Sequence, residues 1–329
     1  MAGILMLKIY FNITLYLSVF ICISFPAHAQ MESFDTWLNQ MRLDAARQGV
    51  SQKTINEALY NITPSQKAIE LDRKQPESKR TFAQYKEMIV NPTRINKGRQ
   101  MMRQHYTELQ QVEDLYGVPK QFIVALWGIE TNYGSNTGGF GVVPALATLA
   151  WEGRRREFFT KELINALKII DAGHISAANM KGSWAGAMGQ NQFMPSSFNS
   201  YAVDGDGDGR RDIWGTHKDV FASTANYLVK NGWITGQRWG RRALLPANFS
   251  ENLISPKIKK PLAYWASLGV RQLNGAPLPQ EDMMASIVAP DGKNGEIYIV
   301  YNNYQTIMDW NRSTYFATSV GLLADQLAQ

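Results

Sequence analysis

The stretch Gly182–Ser197, GSWAGAMGQNQFMPSS, combines small residues, side-chain amides and aromatic rings. Its glycines and alanines permit a close approach of backbone segments. Ser183 and the amides Gln190–Gln192 can hydrogen-bond hydroxyl and acetamide groups, while Trp184 and Phe193 can stack on flat ring faces such as those of sugars. A tight contact between helices would use the same small residues. The two interpretations are compatible.

An upstream segment places a glutamate in an apolar setting. The apolar periodicity from Phe122 to Ile129 predicts a helix, and the turn residues that follow predict its end near Asn132. Glu130 lies at this end, beside Trp127 and Tyr133. A carboxyl group held against aromatic rings is desolvated, which raises its pKa and lets it donate a proton to a leaving oxygen. An ordinary surface glutamate at a helix end is the alternative interpretation.

Several catalytic motifs are missing from the sequence. The four histidines are scattered, and no His-Glu-x-x-His, Gly-x-Ser-x-Gly or Gly-x-x-x-x-Gly-Lys pattern occurs. These absences argue against a zinc protease, a serine hydrolase of the nucleophile-elbow type and a phosphate-loop nucleotide enzyme. Glu130 therefore has few competitors as the acid/base group.

Four segments together resemble one enzyme family. They are Gly128–Gly134 (GIETNYG), Gly182–Ser197, Ala225–Tyr227 (ANY) and Trp310–Tyr315 (WNRSTY). In order and spacing they resemble the membrane-bound lytic murein transglycosylase B family, of the glycoside hydrolase family 103 type. The resemblance is strong over residues 116–233 and returns near the C-terminus. It is weak in the first hundred residues and around residues 236–304.

The resemblance implies a fold, an activity and a set of site residues. The fold is a lysozyme-like helical core. The activity is cleavage of the β-1,4 bond between N-acetylmuramic acid and N-acetylglucosamine, with formation of a 1,6-anhydromuramic acid end and no catalytic cofactor. Glu130 falls on the family's single catalytic acid/base. The residues that fall around the saccharide are Ser183, Gln192, Tyr227, Asn311 and Tyr85.

A single carboxylate agrees with this chemistry, because an ordinary glycosidase needs two. Glu152 is the rival second carboxylate, but it precedes the basic run Arg154–Arg156, so an ion-pair or helix-start role is the favoured interpretation. Two alternatives stay open at this point. One is a hydrolytic muramidase, and the other is a non-catalytic scaffold that binds peptidoglycan.

The run Asp204–Gly209, DGDGDG, has the oxygen-ligand spacing of an EF-hand loop, although Gly215 replaces the glutamate of position 12. The resemblance implies that an aspartate at the start of the next helix supplies the last ligand. We therefore expect a structural calcium or sodium ion here, and a solvated turn is the alternative. The predicted ligand residues are Asp204, Asp206, Asp208, Arg210 (through its carbonyl) and Asp219.

The first thirty residues have the pattern of an export signal. Lys8, the apolar run Ile9–Phe25 and the small-residue site Ala27–Ala29 predict a secretory signal peptide cleaved after Ala29, with a membrane anchor as the alternative. Cys22 is the only cysteine, so no disulfide is expected. We expect a periplasmic protein, monomeric and without stable membrane insertion once the signal is removed.

The 329 residues, 45% hydrophobic and 19% charged, have an ordinary globular composition. The net charge of +6 favours an anionic partner. Peptidoglycan glycan strands are preferred over nucleic acid, for which no motif is present. We predict a mainly α (α+β) protein in four parts: a signal peptide (1–29), an N-terminal helical subdomain (30–115), a lysozyme-like core (116–235 and 305–329) and a small β-rich insertion (236–304).

Four local features are also predicted. The charged, proline-containing stretch Asp72–Arg80 predicts a loop, and the apolar periodicity of Asn96–Tyr116 predicts one long helix. The turn residues Pro290–Gly292 predict a hairpin, and Ser313 or Thr314 can cap the last helix.

Overall fold

The computed structural model describes residues 32–74 and 80–329. The predicted signal peptide and Cys22 lie outside these residues, as does the middle of the loop predicted over residues 72–80. Within the described part, no helix is long and apolar enough to cross a bilayer.

Among the residues that the structure describes, six helices precede the segment that carries Glu130. They are α1 (Phe34–Arg47), α2 (Gln52–Leu59), α3 (Gln66–Arg73), α4 (Phe82–Ile89), α5 (Pro92–Gln104) and α6 (Tyr106–Tyr116). Side-chain caps from Ser51, Ser65, Thr81 and Asn91 start four of them.

Two sequence predictions fail in this region. The predicted loop begins too early, because Asp72 and Arg73 belong to α3. There Asp72 is buried and pairs with Arg154 and Arg155. The single long helix expected over residues 96–116 is two helices that meet at His105. The buried His105 packs edge-on against Trp127 and Phe221, and this tertiary contact lies at the break between the two helices.

The centre of the molecule is helical. Its elements are α7 (Lys120–Thr131), β1 (Phe140–Gly141), α8 (Val142–Glu152), α9 (Arg156–Asp171), β2 (Lys181–Gly182), α10 (Pro195–Tyr201) and α11 (His217–Lys230). The residues of α8 are almost all apolar and buried, and this helix packs along α9. Such burial contributes about 25 cal/mol per Å² of apolar surface, so α8 is held in place mainly by its neighbours.

In the described part of the chain, the remaining five strands lie between residues 240 and 300. They are β3 (Gly240–Leu244), β4 (Lys260–Pro261), β5 (Arg271–Gln272), β6 (Met284–Val288) and β7 (Tyr298–Val300). Short helical turns occur at Glu251–Leu253 and at α12 (Leu262–Ser267). The sheet is antiparallel in the order β4-β6-β7-β3-β5, and β6 and β7 form the hairpin that the turn residues around Asp291 predict.

The two faces of β7 contact two different apolar clusters. Tyr298 and Val300 belong to the main core, whereas Ile299 packs in a smaller cluster with Trp265 and Ile287. Side chains alternate between the faces of a strand, so one strand contributes to both clusters. The sheet is thereby attached to the helical part.

The chain returns to the helical part in α13 (Asn302–Trp310) and α14 (Thr314–Leu327). Ser313 caps α14 by accepting the N–H of Phe316 at 3.3 Å. The apolar face of α14 packs against α7, which carries Glu130. The loop between α13 and α14 therefore lies near the end of α7. The mainly helical fold with a small sheet that the sequence predicts is confirmed.

Candidate active site

Glu130 lies in the last turn of α7, and a left-handed turn redirects the chain immediately after it. Asn132 and Tyr133 both have positive φ angles, of 51° and 61°. This turn folds the Tyr133 ring back onto Gly128, where an added Cβ would stand 2.6 Å from the ring. The Tyr133 hydroxyl then donates to the carbonyl of Arg94 at 2.7 Å. The motif Gly128–Gly134 thus closes α7 and orients the helix end.

The carboxyl group of Glu130 is surrounded by protein, although the residue as a whole keeps some solvent exposure. Burial raises its pKa from 4.5 to about 7. A hydrogen bond from the indole Nε1 of Trp310 to Oε1, 2.8 Å long, opposes part of this rise. Such a group is partly protonated near neutral pH and can serve as an acid and then as a base.

Trp310 is held by two aromatic rings. Its ring centroid is 5.2 Å from that of Phe193 and 4.7 Å from that of Tyr227. The Tyr227 hydroxyl donates to the carbonyl of Asp309 at 2.8 Å, which secures the chain next to Trp310. Sequence reasoning missed this role for Trp310, although the residue stands in the segment WNRSTY. No local sequence pattern predicts a hydrogen bond between residues 180 positions apart.

The stretch Gly182–Ser197 forms compact turns. Gly182 pairs with Phe140 across β1 and β2, and an added Cβ on Gly182 would stand 2.2 Å from the carbonyl oxygen of Ala187. Ser183 accepts the N–H of Ala187 at its Oγ, 3.0 Å away, while its own N–H donates to the Ala187 carbonyl. Close backbone approach therefore explains the small residues.

The amides of this stretch divide into structural and accessible groups. Gln190 is buried; it accepts from the indole of Trp127 at 2.8 Å and donates to the carbonyl of Trp214. The buried Asn191 donates to Val220 and Thr224. The prediction that these two amides bind ligand hydroxyls is therefore wrong for their NH₂ groups, which internal hydrogen bonds use.

Gln192 is the partly exposed amide of the three. It has a positive φ of 51°, and its Nε2 donates to the carbonyls of Thr137 and Gly189. Within residues 32–74 and 80–329, no donor reaches its Oε1. Phe193 is only 3% exposed and packs on Tyr227 and Trp310, so it is not free to stack on a ligand as predicted. Trp184 keeps a partly exposed ring.

Two other predicted site residues are Tyr85 and Asn311. Tyr85, on α4, is half-buried, and its pKa is raised first by burial and then by the charge of Glu130. Its ring lies 5.8 Å, centroid to centroid, from that of Tyr315 at the start of α14, a helix that packs against both α4 and α7. Asn311 follows Trp310 and is exposed, with its Oδ1 accepting the N–H of Ser313 at 3.2 Å.

The rival carboxylate is engaged elsewhere. Glu152 ends α8, pairs with Arg73 at 2.8 Å and accepts the N–H of Arg154. These bonds lower its pKa. For Glu130, burial and Trp310 are the two influences on the pKa, and no second carboxylate among the described residues contributes.

The acidic loop brings three of its predicted ligands together. One carboxylate oxygen each of Asp204, Asp206 and Asp219 lies within 4.8 Å of the others. Asp219 is fully buried near the start of α11, and burial, with smaller contributions from Asp206 and Asp204, raises its pKa to about 6. Hard cations such as calcium prefer such an all-oxygen set. Asp208 lies outside this group of three and accepts the N–H of Arg210 at 2.7 Å.

Comparisons with known proteins agree with this architecture. The family model described as "Transglycosylase SLT domain" matches residues 33–325. Membrane-bound lytic murein transglycosylase B of Escherichia coli (strain K12) is 32% identical over 253 residues, which cover 75% of this chain and 67% of the relative.

Solved structures extend the comparison. SltB3 from Pseudomonas aeruginosa, in complex with NAG-anhNAM-pentapeptide, superimposes with a TM-score of 0.88 at 44% identity, covering 90% of this chain and 80% of that one. SltB1 from the same organism gives 0.81 at 30% identity, with 89% and 98% covered. Escherichia coli Slt35 in complex with calcium gives 0.77 at 30% identity, with 88% and 92% covered. This chain therefore belongs to the transglycosylase SLT domain family, as its resemblance to the lytic murein transglycosylases predicts.

Proposed function

We propose that this chain is a lytic murein transglycosylase that cleaves the β-1,4 bond between N-acetylmuramic acid and N-acetylglucosamine and leaves a 1,6-anhydromuramic acid end. The family and the relatives support the reaction class. The observation that carries the proposal is Glu130, a buried carboxyl with a pKa of about 7 and an indole donor, while the rival carboxylate Glu152 pairs with Arg73.

Glu130 acts first as the acid. Its protonated carboxyl gives the proton to the glycosidic oxygen while the bond from that oxygen to C1 of muramic acid breaks. The N-acetyl group of the substrate stabilises the positive charge that develops at C1, as in other substrate-assisted enzymes. The indole of Trp310 then faces a carboxylate, and a hydrogen bond to a charged acceptor is stronger than one to a neutral group.

Glu130 next acts as the base. The carboxylate takes the proton from the 6-hydroxyl of the same sugar, whose oxygen attacks C1 and closes the anhydro ring. Glu130 is thereby returned to its protonated form, and no water is consumed. Because one residue performs both transfers, its pKa has to lie near the working pH.

The residues around the carboxyl group fit a saccharide cleft. We propose that Asn311 and Ser183 orient the acetamide, and that the free Oε1 of Gln192 accepts a sugar hydroxyl. The Tyr227 hydroxyl is used by Asp309, so Tyr227 contributes through its ring, which supports Trp310. Tyr85, which packs against Tyr315, provides one wall of the cleft on the side of α4.

The remaining proposals concern the setting of the enzyme. Glycan strands of peptidoglycan are the substrate, and SltB3 was crystallised with such fragments. The predicted signal peptide supports export to the periplasm. The three converging carboxylates support a structural calcium or sodium ion that ties the loop to α11. The four-part division of the chain remains a prediction.

Digestion of purified peptidoglycan followed by mass spectrometry tests the function. We expect products with anhydromuramic ends, each lighter by one water than the corresponding reducing product. Reducing muramic ends would make the chain a hydrolase. Glu130→Gln should abolish solubilisation with the fold intact by circular dichroism, and substantial remaining activity would contradict the role of Glu130. An inactive wild-type protein that still binds peptidoglycan would support the scaffold alternative.

A further inference from the structure

Helix α4, which carries Tyr85, depends on other elements for its position. It has eight residues, and isolated helices of this length are marginal in water. A capping box between Thr81 and Gln84 closes its first turn but does not orient it in the fold. Tertiary contacts must therefore fix the position of Tyr85.

One such contact comes from the turn between β6 and β7. The carboxylate of Asp291 accepts the backbone N–H of Phe82, the N–H of Ala83 at 2.9 Å and the hydroxyl of Tyr315 at 3.2 Å. The two N–H groups are the first of α4 and have no acceptor within the helix. A negative charge at this end is also favoured by the helix dipole. One side chain thus joins the sheet to α4 and α14.

A second set of contacts holds the next turn of α4 to the same part of the sheet. Lys86 pairs with Glu296 at 2.8 Å, and both side chains are partly buried. The ring of Phe82 packs edge-on against Tyr298 of β7, with centroids 6.3 Å apart. Both turns of α4 are therefore attached to β7 and the turn that precedes it.

The contacts of Asp291 lead to the catalytic carboxyl along two routes. By accepting the first N–H groups of α4, Asp291 fixes the helix that carries Tyr85. By accepting the Tyr315 hydroxyl, it also fixes the Tyr315 ring, whose centroid lies 5.8 Å from that of Tyr85 and 5.4 Å from that of Phe82. Tyr315 stands in the first turn of α14, which packs against α7, the helix that carries Glu130.

We propose that Asp291 is a positioning residue for the reaction: it fixes α4 and Tyr315 so that Tyr85 stands beside Glu130 as one wall of the cleft. This inference rests on the roles proposed above for Glu130 and Tyr85. It makes the β6–β7 turn part of the active-site architecture, although Asp291 acts only through other residues.

A double-mutant cycle between Asp291 and Tyr85 tests the inference. We expect Asp291→Ala to lower kcat/KM on purified glycan strands by roughly ten- to a hundredfold, since small displacements in a site have effects of this size. In a Tyr85→Ala background the same change should have little further effect, because the residue it positions is already gone. Asp282→Ala removes an exposed aspartate that precedes β6 and should leave kcat/KM unchanged.

The variants keep the outcomes distinguishable. Asp291→Ala with wild-type kcat/KM, or with an equal loss in both backgrounds, overturns the inference. A Tyr85→Ala variant with full activity refutes the role of Tyr85 and the inference with it, while the proposed reaction still stands if Glu130→Gln is inactive. If Asp291→Ala does not fold, the double-mutant cycle is repeated with Tyr315→Phe in its place. This substitution removes the hydrogen bond from the Tyr315 hydroxyl to Asp291 but keeps the ring, and it should lower kcat/KM only when Tyr85 is present.

Discussion

Replacing Trp310 by phenylalanine should raise the pKa of Glu130. The substitution keeps an aromatic ring between Phe193 and Tyr227 but removes the Nε1–H that donates to Glu130 Oε1 at 2.8 Å. That bond stabilises the ionised form, and it lowers a pKa that burial alone would place above the value of about 7. Without the bond, the carboxyl should hold its proton to a higher pH.

The size of the shift follows from the strength of the bond. A hydrogen bond to a charged group is worth about 1.5–3 kcal/mol, and one pKa unit corresponds to about 1.4 kcal/mol. The pKa should therefore rise by roughly one to two units. We expect the lower end, because Glu130 keeps some solvent exposure and water can replace part of the lost donor.

The pH dependence of kcat/KM is the assay. Activity requires protonated Glu130 at the first step, so the wild-type rate should fall as the pH rises through about 7. In Trp310→Phe the fall should come at about pH 8, with a lower maximum because the intermediate carboxylate has lost its donor. Trp239→Phe, which removes a similar indole-to-carboxylate bond at Asp325, should leave the profile in place. An unmoved descending limb in Trp310→Phe, or one moved to lower pH, would refute the reasoning.

Three further predictions concern stability. Because the pKa of Glu130 is raised on folding from 4.5 to about 7, its contribution to stability is complete below about pH 4.5 and is lost as the pH rises through about 7. At pH 8 the free energy of unfolding of Glu130→Gln, measured by urea denaturation, should therefore exceed that of the wild type by up to about 3 kcal/mol. An equal gain at pH 5 would contradict this origin of the difference. Millimolar calcium should raise the calorimetric melting temperature of the wild type but not of Asp219→Asn, whose carboxyl lies among the three converging groups, and a rise in both would exclude this site. Gly182→Ala should lose about 1–3 kcal/mol, because its Cβ would stand 2.2 Å from the Ala187 carbonyl, whereas Gly139→Ala, with open space around it, should be close to neutral.

Much of the local structure and the acid/base candidate follow from the sequence. Apolar periodicity and turn residues place α7 and its end at Asn132, and the structure confirms both. The hairpin around Asp291 and the cap at Ser313 are likewise local signals that hold. An apolar helix end with a glutamate also predicts the direction of its pKa shift, because desolvation depends mainly on immediate neighbours.

The sequence is less informative where one residue type has two uses. Gln190, Asn191 and Gln192 stand side by side and carry the same functional group, yet two are buried in internal hydrogen bonds and one is partly exposed. His105 reads as one more residue of a long helix until its contacts with Trp127 and Phe221 are known. These cases differ in the burial of each side chain and in the group that it contacts, and the composition specifies neither.

The helical class and the family follow from the amino-acid sequence, which also offers Glu130 as the candidate acid/base group. The surroundings of that carboxyl depend on packing: Trp310 donates a hydrogen bond to it, and Asp291 accepts two N–H groups of the helix that carries Tyr85. The difference lies in the range of the contacts. Helices and turns are set by contacts over a few residues, whereas the pKa of Glu130 depends on its burial and on Trp310, 180 positions away, which folding brings together.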